Sequence, residues 1–131
     1  MARPRQQLLA GGTLAGLALL IAGSALFPSR AAQLVDGKVV FEKRCGGCHA
    51  LDRDKEGPRL GGVYGRKAGT IDSFQYSDAL KNSKVVWSDN TLDRWLTDTE
   101  KLVPKNDMSF HVESADERKA IIDYLKTSSG K

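Results

Sequence analysis

Hydrophobic and polar positions divide this chain into two unlike parts. From Leu8 to Phe27 run 20 uncharged residues, including seven leucines, five alanines and four glycines. No polar face recurs within the run, so it does not read as an amphipathic helix against a core. Past Ala32 the pattern is short and mixed. From about Gln33 to Arg44, Leu34, Gly37, Val40 and Phe41 fall at helical spacing. A second short helix is expected from Ser77 to Lys81. A third is expected from Thr91 to Thr97, with Leu92, Trp95 and Leu96 on one face and Asp89 or Asn90 as its cap. The fourth runs from Asp116 to Lys126 with an apolar stripe of Ile121, Tyr124 and Leu125. Ser114 and Glu117 stand at capping-box spacing before it. Between the first two lies Gly46 to Phe74, holding Gly46, Gly47, Gly57, Pro58, Gly61, Gly62, Gly65 and Gly69. That density of breakers leaves little room for regular structure. No useful strand pattern and no repeat occurs, so the expectation is an all-α fold of four helices plus a long Gly-rich loop.

Charge sharpens the division. The 131 residues carry 20 basic and 16 acidic side chains, a net +4. Residues 1–31 hold Arg3, Arg5 and Arg30 and no acid, so residues 32–131 are near neutral, with 17 basic and 16 acidic side chains. A basic start, an apolar run and the small residues of Ser29-Arg30-Ala31 read as a secretory signal peptide. The run also reaches the roughly 20 residues that span a bilayer, so an N-terminal membrane anchor is the alternative. Either way residues 32–131 form one exported domain. Its near-neutral balance argues against a nucleic-acid partner.

About 100 residues bury a limited core and gain from a cofactor or cross-link. A loop of almost 30 residues without regular structure is tolerable if it packs on something that is not protein. Cys45-Gly46-Gly47-Cys48-His49 supplies the chemistry, because C-x-x-C-H is the motif of covalent c-type haem attachment. Cys45 and Cys48 can each add to a haem vinyl group, and the imidazole of His49 then serves as an axial iron ligand. A thioredoxin-like site would need a βαβ context. A zinc site would need Cys45, Cys48, His49 and His111 together, at a spacing no usual finger has. A Cys45–Cys48 disulfide is the remaining alternative. Met108 and His111 are the candidates for the second axial position. Met108 is favoured because its polar loop, Pro104 to Met108, can fold over a flat ligand. A His/Met pair would raise the reduction potential relative to two imidazoles.

The domain resembles the class I cytochrome c family, of the mitochondrial and bacterial periplasmic type. The resemblance rests on Gly37, Phe41, Cys45, Cys48, His49, Gly57-Pro58, Tyr64-Gly65-Arg66-Lys67, Tyr76, Trp87, Pro104, Met108, Phe110 and Tyr124, in order and without large insertions. It implies that Gly37 and Phe41 pack against Tyr124, and that the Pro58 carbonyl accepts the Nδ1–H of His49. It also implies that Arg66, Tyr76 and Trp87 face the haem propionates and that Phe110 covers the haem. Departures are Trp95 for a tyrosine, Leu80 for an asparagine, Asn106 for a hydroxyl residue and Asp107 for a lysine. The implied function is one-electron transfer rather than enzymatic turnover. The implied partners are membrane complexes as donor and acceptor, such as a cytochrome bc1-type complex and a terminal oxidase or reaction centre. The implied location is periplasmic, soluble after signal cleavage or anchored through residues 8–27. Residues 38–67 carry eight basic and four acidic groups, which suggests a modest positive edge around the haem-attachment motif.

Overall fold

A computed structural model of the chain describes residues 35–128. The apolar run from Leu8 to Phe27 and the expected processing site at Ala31 lie outside the described residues. Among the described residues there are five helices and no strand: α1 (Gly37–Arg44), α2 (Asp78–Asn82), α3 (Asp89–Thr97), α4 (Thr99–Leu102) and α5 (Ala115–Thr127). None of these is long and apolar enough to cross a membrane.

The first helix starts later than expected. Asp36 is extended and its carboxylate accepts from the N–H groups of Lys38 and Val39, which makes it the N-cap. Lys43 and Arg44 close the helix at the end where its dipole favours cations. Only Val40 and Phe41 are buried, whereas Val39 is 58% exposed. The helix is therefore held mainly by what it crosses, and it crosses α5. Gly37 makes the crossing close. A Cβ there would lie 2.2 Å from the Ala120 carbonyl oxygen and 2.9 Å from the Tyr124 Cβ. Phe41 packs on Tyr124 with ring centroids 5.3 Å apart. The packing implied for Gly37, Phe41 and Tyr124 is present.

Two caps differ from expectation. Ser88, not Asp89 or Asn90, caps α3, in a reciprocal box with Thr91. A hydroxyl at the N-cap and another three residues on satisfy two orphan N–H groups, which neither later residue can do from inside the helix. Ser114 caps α5 by accepting from the Glu117 N–H, but the carboxylate of Glu117 does not return to the cap. It accepts instead from Nε and Nη2 of Arg44 at 3.0 and 2.7 Å, so α1 and α5 share a two-pronged ion pair. The extra helix α4 follows α3 through Asp98, which ends one helix and caps the next.

The core joins α1, α3 and α5 through Val40, Phe41, Leu92, Trp95, Leu96, Ile121, Ile122 and Leu125, together with Val63, Ala68 and Trp87 from the loop region. The Gly-rich stretch lacks helices but not hydrogen bonds. Leu60 and Gly61 donate to Ala50 and Leu51, while Gly65 and Ala68 donate to Trp87 and Val85. One isolated antiparallel bridge, Lys67 to Val86, results. Gly69 has φ +72, and a Cβ there would lie 2.8 Å from the Leu80 carbonyl oxygen. The turn thus needs a residue without a side chain.

Candidate functional site

The site begins where α1 ends. Cys45 is the C-cap residue of α1, and its N–H and that of Gly46 both donate to the Phe41 carbonyl. Cys48 and His49 donate back to the Cys45 carbonyl, which winds the motif into a tight turn. Both thiols are free, with Cys45 buried and Cys48 exposed. The disulfide alternative is therefore not formed. Burial pushes the Cys45 thiol up to about 11, against the opposing pull of Arg44. At neutral pH it is a protonated thiol.

His49 is 8% exposed and fixed on one side. Its Nδ1 lies 2.8 Å from the Pro58 carbonyl oxygen. A carbonyl can only accept, so Nδ1 carries the proton and Nε2 keeps its lone pair. Desolvation lowers the imidazole pKa, the Pro58 contact opposes this, and Lys55 adds a smaller lowering. The ring is therefore neutral, as a metal ligand must be. Gly57 lies flat against it. A Cβ on Gly57 would fall 2.2 Å from Cε1 and 2.7 Å from Nδ1 of His49. A pair of free thiols, one neutral oriented imidazole and a backbone cradle fit a covalently attached haem.

Met108 belongs to a separate network. It is half-buried and packs against the core cluster, as does Phe110. Its N–H donates to Asn106 Oδ1 at 2.7 Å, and its carbonyl accepts from the hydroxyl of Thr99. His111 is exposed and lines a cavity of about 290 Å³ with Thr97, Thr99 and Phe110. Among the described residues no group of three or more His, Cys, Asp and Glu is placed to hold a metal ion.

The remaining expected residues fall into two groups. Arg66 is half-buried and donates to the carbonyls of Gly61 and Arg59 at 3.0 and 3.1 Å. That leaves part of its five-donor fork for another acceptor. Burial pushes the phenol of buried Tyr76 up, with the Arg66 charge acting against it, so the two side chains are electrostatic neighbours. Tyr76 also packs edge-on to Phe74 at 4.9 Å. Trp87 packs edge-on to Trp95 at 5.4 Å, both buried. The unusual Trp95 thus serves the aromatic core. Leu80 is a partly buried apolar neighbour of the same core. Three features were missed from sequence: Thr99, the helix it starts, and the use of Asn106 as a bridge. The only sequence signal for the helix is Asp98, a cap residue directly after the expected end of the third helix.

An all-α domain whose loops close around a C-x-x-C-H turn defines the class, a c-type haem protein. The family model described as "Cytochrome c" matches residues 34–129. The chain is 42% identical over 94 residues to cytochrome c of Euglena viridis, covering 70% of this chain and 92% of that one. It is 44% identical over 86 residues to cytochrome c2 iso-2 of Magnetospirillum molischianum, covering 63% and 89%. It is similar in structure to cytochrome cH from Methylobacterium extorquens, with TM-score 0.66, 39% identity, and coverage of 70% and 94%. The chain belongs to the cytochrome c family, and its fold is the class I cytochrome c fold. Its cofactor is covalently attached haem c, and it is an electron-transfer protein rather than an enzyme.

Proposed function

We propose that the protein is an exported one-electron carrier whose haem is joined to Cys45 and Cys48 and ligated by His49 and Met108. When bound, haem supplies the ferric/ferrous couple. The observation that carries the reading is the His49–Pro58 contact. It fixes the tautomer, presents Nε2 as the free lone pair and makes the imidazole a stronger donor. The placement of the two other candidates supports Met108 as the opposite ligand. Met108 is packed on the core by a loop with defined hydrogen bonds, whereas His111 is exposed. Arg66, Tyr76 and Trp87 stand ready to face the propionates, and Phe110 to cover the haem beside Met108. Buried carboxylates are costly without such donors.

Residues 1–31 act as an export signal or a retained anchor, and residues 32–131 work in the periplasm between membrane complexes of the bc1 and oxidase or reaction-centre kind. Retention of residues 1–31 would add membrane contact. N-terminal sequencing of the native protein separates the two: a start near Ala32 means cleavage, a start at Met1 or Ala2 means anchoring. For the carrier itself, a spectroscopic redox titration of the haem-loaded protein should follow a one-electron Nernst curve, with no turnover of hydrogen peroxide. Sustained peroxide turnover would replace the carrier with a peroxidase.

A further inference from the structure

We propose that Asn106 and Thr99 are positioning residues that hold Met108 against the haem iron by gripping both polar groups of its backbone. The proposal rests on the His49/Met108 ligation inferred above. A methionine side chain has three rotatable bonds and little conformational preference. Its sulfur stays in one place only if its Cα does. In an irregular loop, the N–H and carbonyl of that residue need partners from outside any helix or strand.

Both partners here are side chains. The Met108 N–H donates to Asn106 Oδ1 at 2.7 Å. Its carbonyl accepts from Thr99 Oγ1, and Thr99 is 2% exposed. Asn106 is itself fixed, because Nδ2 donates to the Val103 carbonyl at 2.9 Å and reaches Glu100 Oε2 at 3.4 Å. The other Glu100 oxygen accepts the Lys105 N–H at 2.9 Å. Lys105 has φ +64, a conformation that side-chain-bearing residues rarely adopt and that persists only where the surroundings enforce it. Thr99 and Glu100 both lie on α4, a helix of four residues. It is too short to be stable alone, and it packs against α3. The helix thus connects the rigid core to the ligand loop. An amide at position 106 serves as acceptor to Met108 and donor to Val103 at once. The exposed Asp107 takes no part in these contacts.

The test uses the haem-loaded full chain and three measurements: the far-red sulfur-to-iron absorption band, carbon monoxide capture by the ferrous form, and the thermal midpoint. Carbon monoxide can bind only when Met108 has left the iron. Asn106→Ala and Thr99→Val should each speed capture about five- to tenfold, the factor one ordinary hydrogen bond contributes. Thr99→Val keeps the buried shape and serves where Asn106→Ala folds poorly. Met108→Ala sets the upper limit of capture. Capture at the wild-type rate in both variants, with Met108→Ala fast, would overturn the positioning role and leave the ligand assignment standing. An unchanged band and capture rate in Met108→Ala would overturn the ligand assignment and the positioning role together. A fall in thermal midpoint without faster capture would mean that the two residues only stabilise the fold, and would also overturn the proposal.

Discussion

Gly57 presents its backbone to the imidazole of His49 so closely that a single added methyl group would overlap the ring, 2.2 Å from Cε1. The next residue, Pro58, then accepts the His49 Nδ1–H at 2.8 Å. One dipeptide therefore sets both the position and the tautomer of the imidazole. Gly57→Ala should push the ring off the Pro58 carbonyl. The expected outcome is a loss of roughly 2 kcal/mol or more of stability, within the range of overpacked buried sites. Haem incorporation should fall with it. Denaturant unfolding and the ratio of haem to protein absorbance check both.

The α1–α5 crossing gives a second prediction. Gly37→Ala would place a methyl 2.2 Å from the Ala120 carbonyl oxygen, which is backbone and cannot rotate away. The helices must part, and the Phe41–Tyr124 contact at 5.3 Å must open. The expected cost is about 1–3 kcal/mol. It should appear as a lower denaturation midpoint with an unchanged slope.

Arg44 and Glu117 predict a smaller effect at the same crossing. Their side chains are 42% and 22% exposed, so solvent screens much of the attraction. Two charge-assisted N–H donors on one Glu117 oxygen raise it somewhat. A double-mutant cycle with Arg44→Ala and Glu117→Ala should give a coupling of about 0.5–1 kcal/mol. The coupling should shrink in high salt.

Tyr64, Asp89 and Lys126 form a tie whose stability depends on pH at both ends. The Tyr64 hydroxyl donates to Asp89 at 2.7 Å, and Lys126 reaches both Asp89 oxygens at 2.9 and 3.0 Å while lying over the Tyr64 ring. The ion pair and the Tyr64 bond hold the Asp89 pKa below its ordinary 3.8. The same pair holds Lys126 above its ordinary 10.5. Lowering of the acid means its contribution is present above the ordinary carboxylate value and is lost as pH falls through the folded-state value. Raising of the base means its contribution is present below the ordinary lysine value and is lost as pH rises through the folded-state value. Lys126→Met should therefore lower the thermal midpoint most between those limits and converge with the wild type outside them. A midpoint difference that stays constant from acid to alkaline pH would remove the tie.

Salt should have little influence on electron exchange. The sequence suggests a positive edge in residues 38–67, yet most of those charges, though exposed or half-buried, have an acidic or carbonyl partner. Arg44 pairs with Glu117, Lys38 with Glu42 and Arg59 with Asp54, while Lys55 donates to the Gly46 carbonyl. Arg66 serves two loop carbonyls. Stopped-flow oxidation by ferricyanide should slow only slightly as ionic strength rises. A steep decline would restore a strong positive face.

The C-x-x-C-H turn was legible because it is local: Cys45, Cys48 and His49 need only their own spacing to close it. The crossing of Gly37, Phe41 and Tyr124 was legible through the family resemblance, and the structure places those residues together. The Ser114–Glu117 box failed because a distant arginine competes for the glutamate, and sequence spacing carries no information on that competition. The third helix is capped at Ser88 because hydroxyl groups three positions apart, on Ser88 and Thr91, close a reciprocal box. The loop before Met108 is irregular, as its polar composition implies. Its rigidity comes from Thr99, Glu100 and Asn106 acting across short distances in space, and no periodic pattern marks them.

The ligand pair is tested most directly by the ferric and ferrous absorption spectra of the haem-loaded wild type beside Met108→Ala. The account predicts a low-spin, six-coordinate wild type with the far-red sulfur-to-iron band, and a variant that loses the band and binds carbon monoxide readily. A five-coordinate, high-spin wild type, or a variant spectrum identical to that of the wild type, would contradict it.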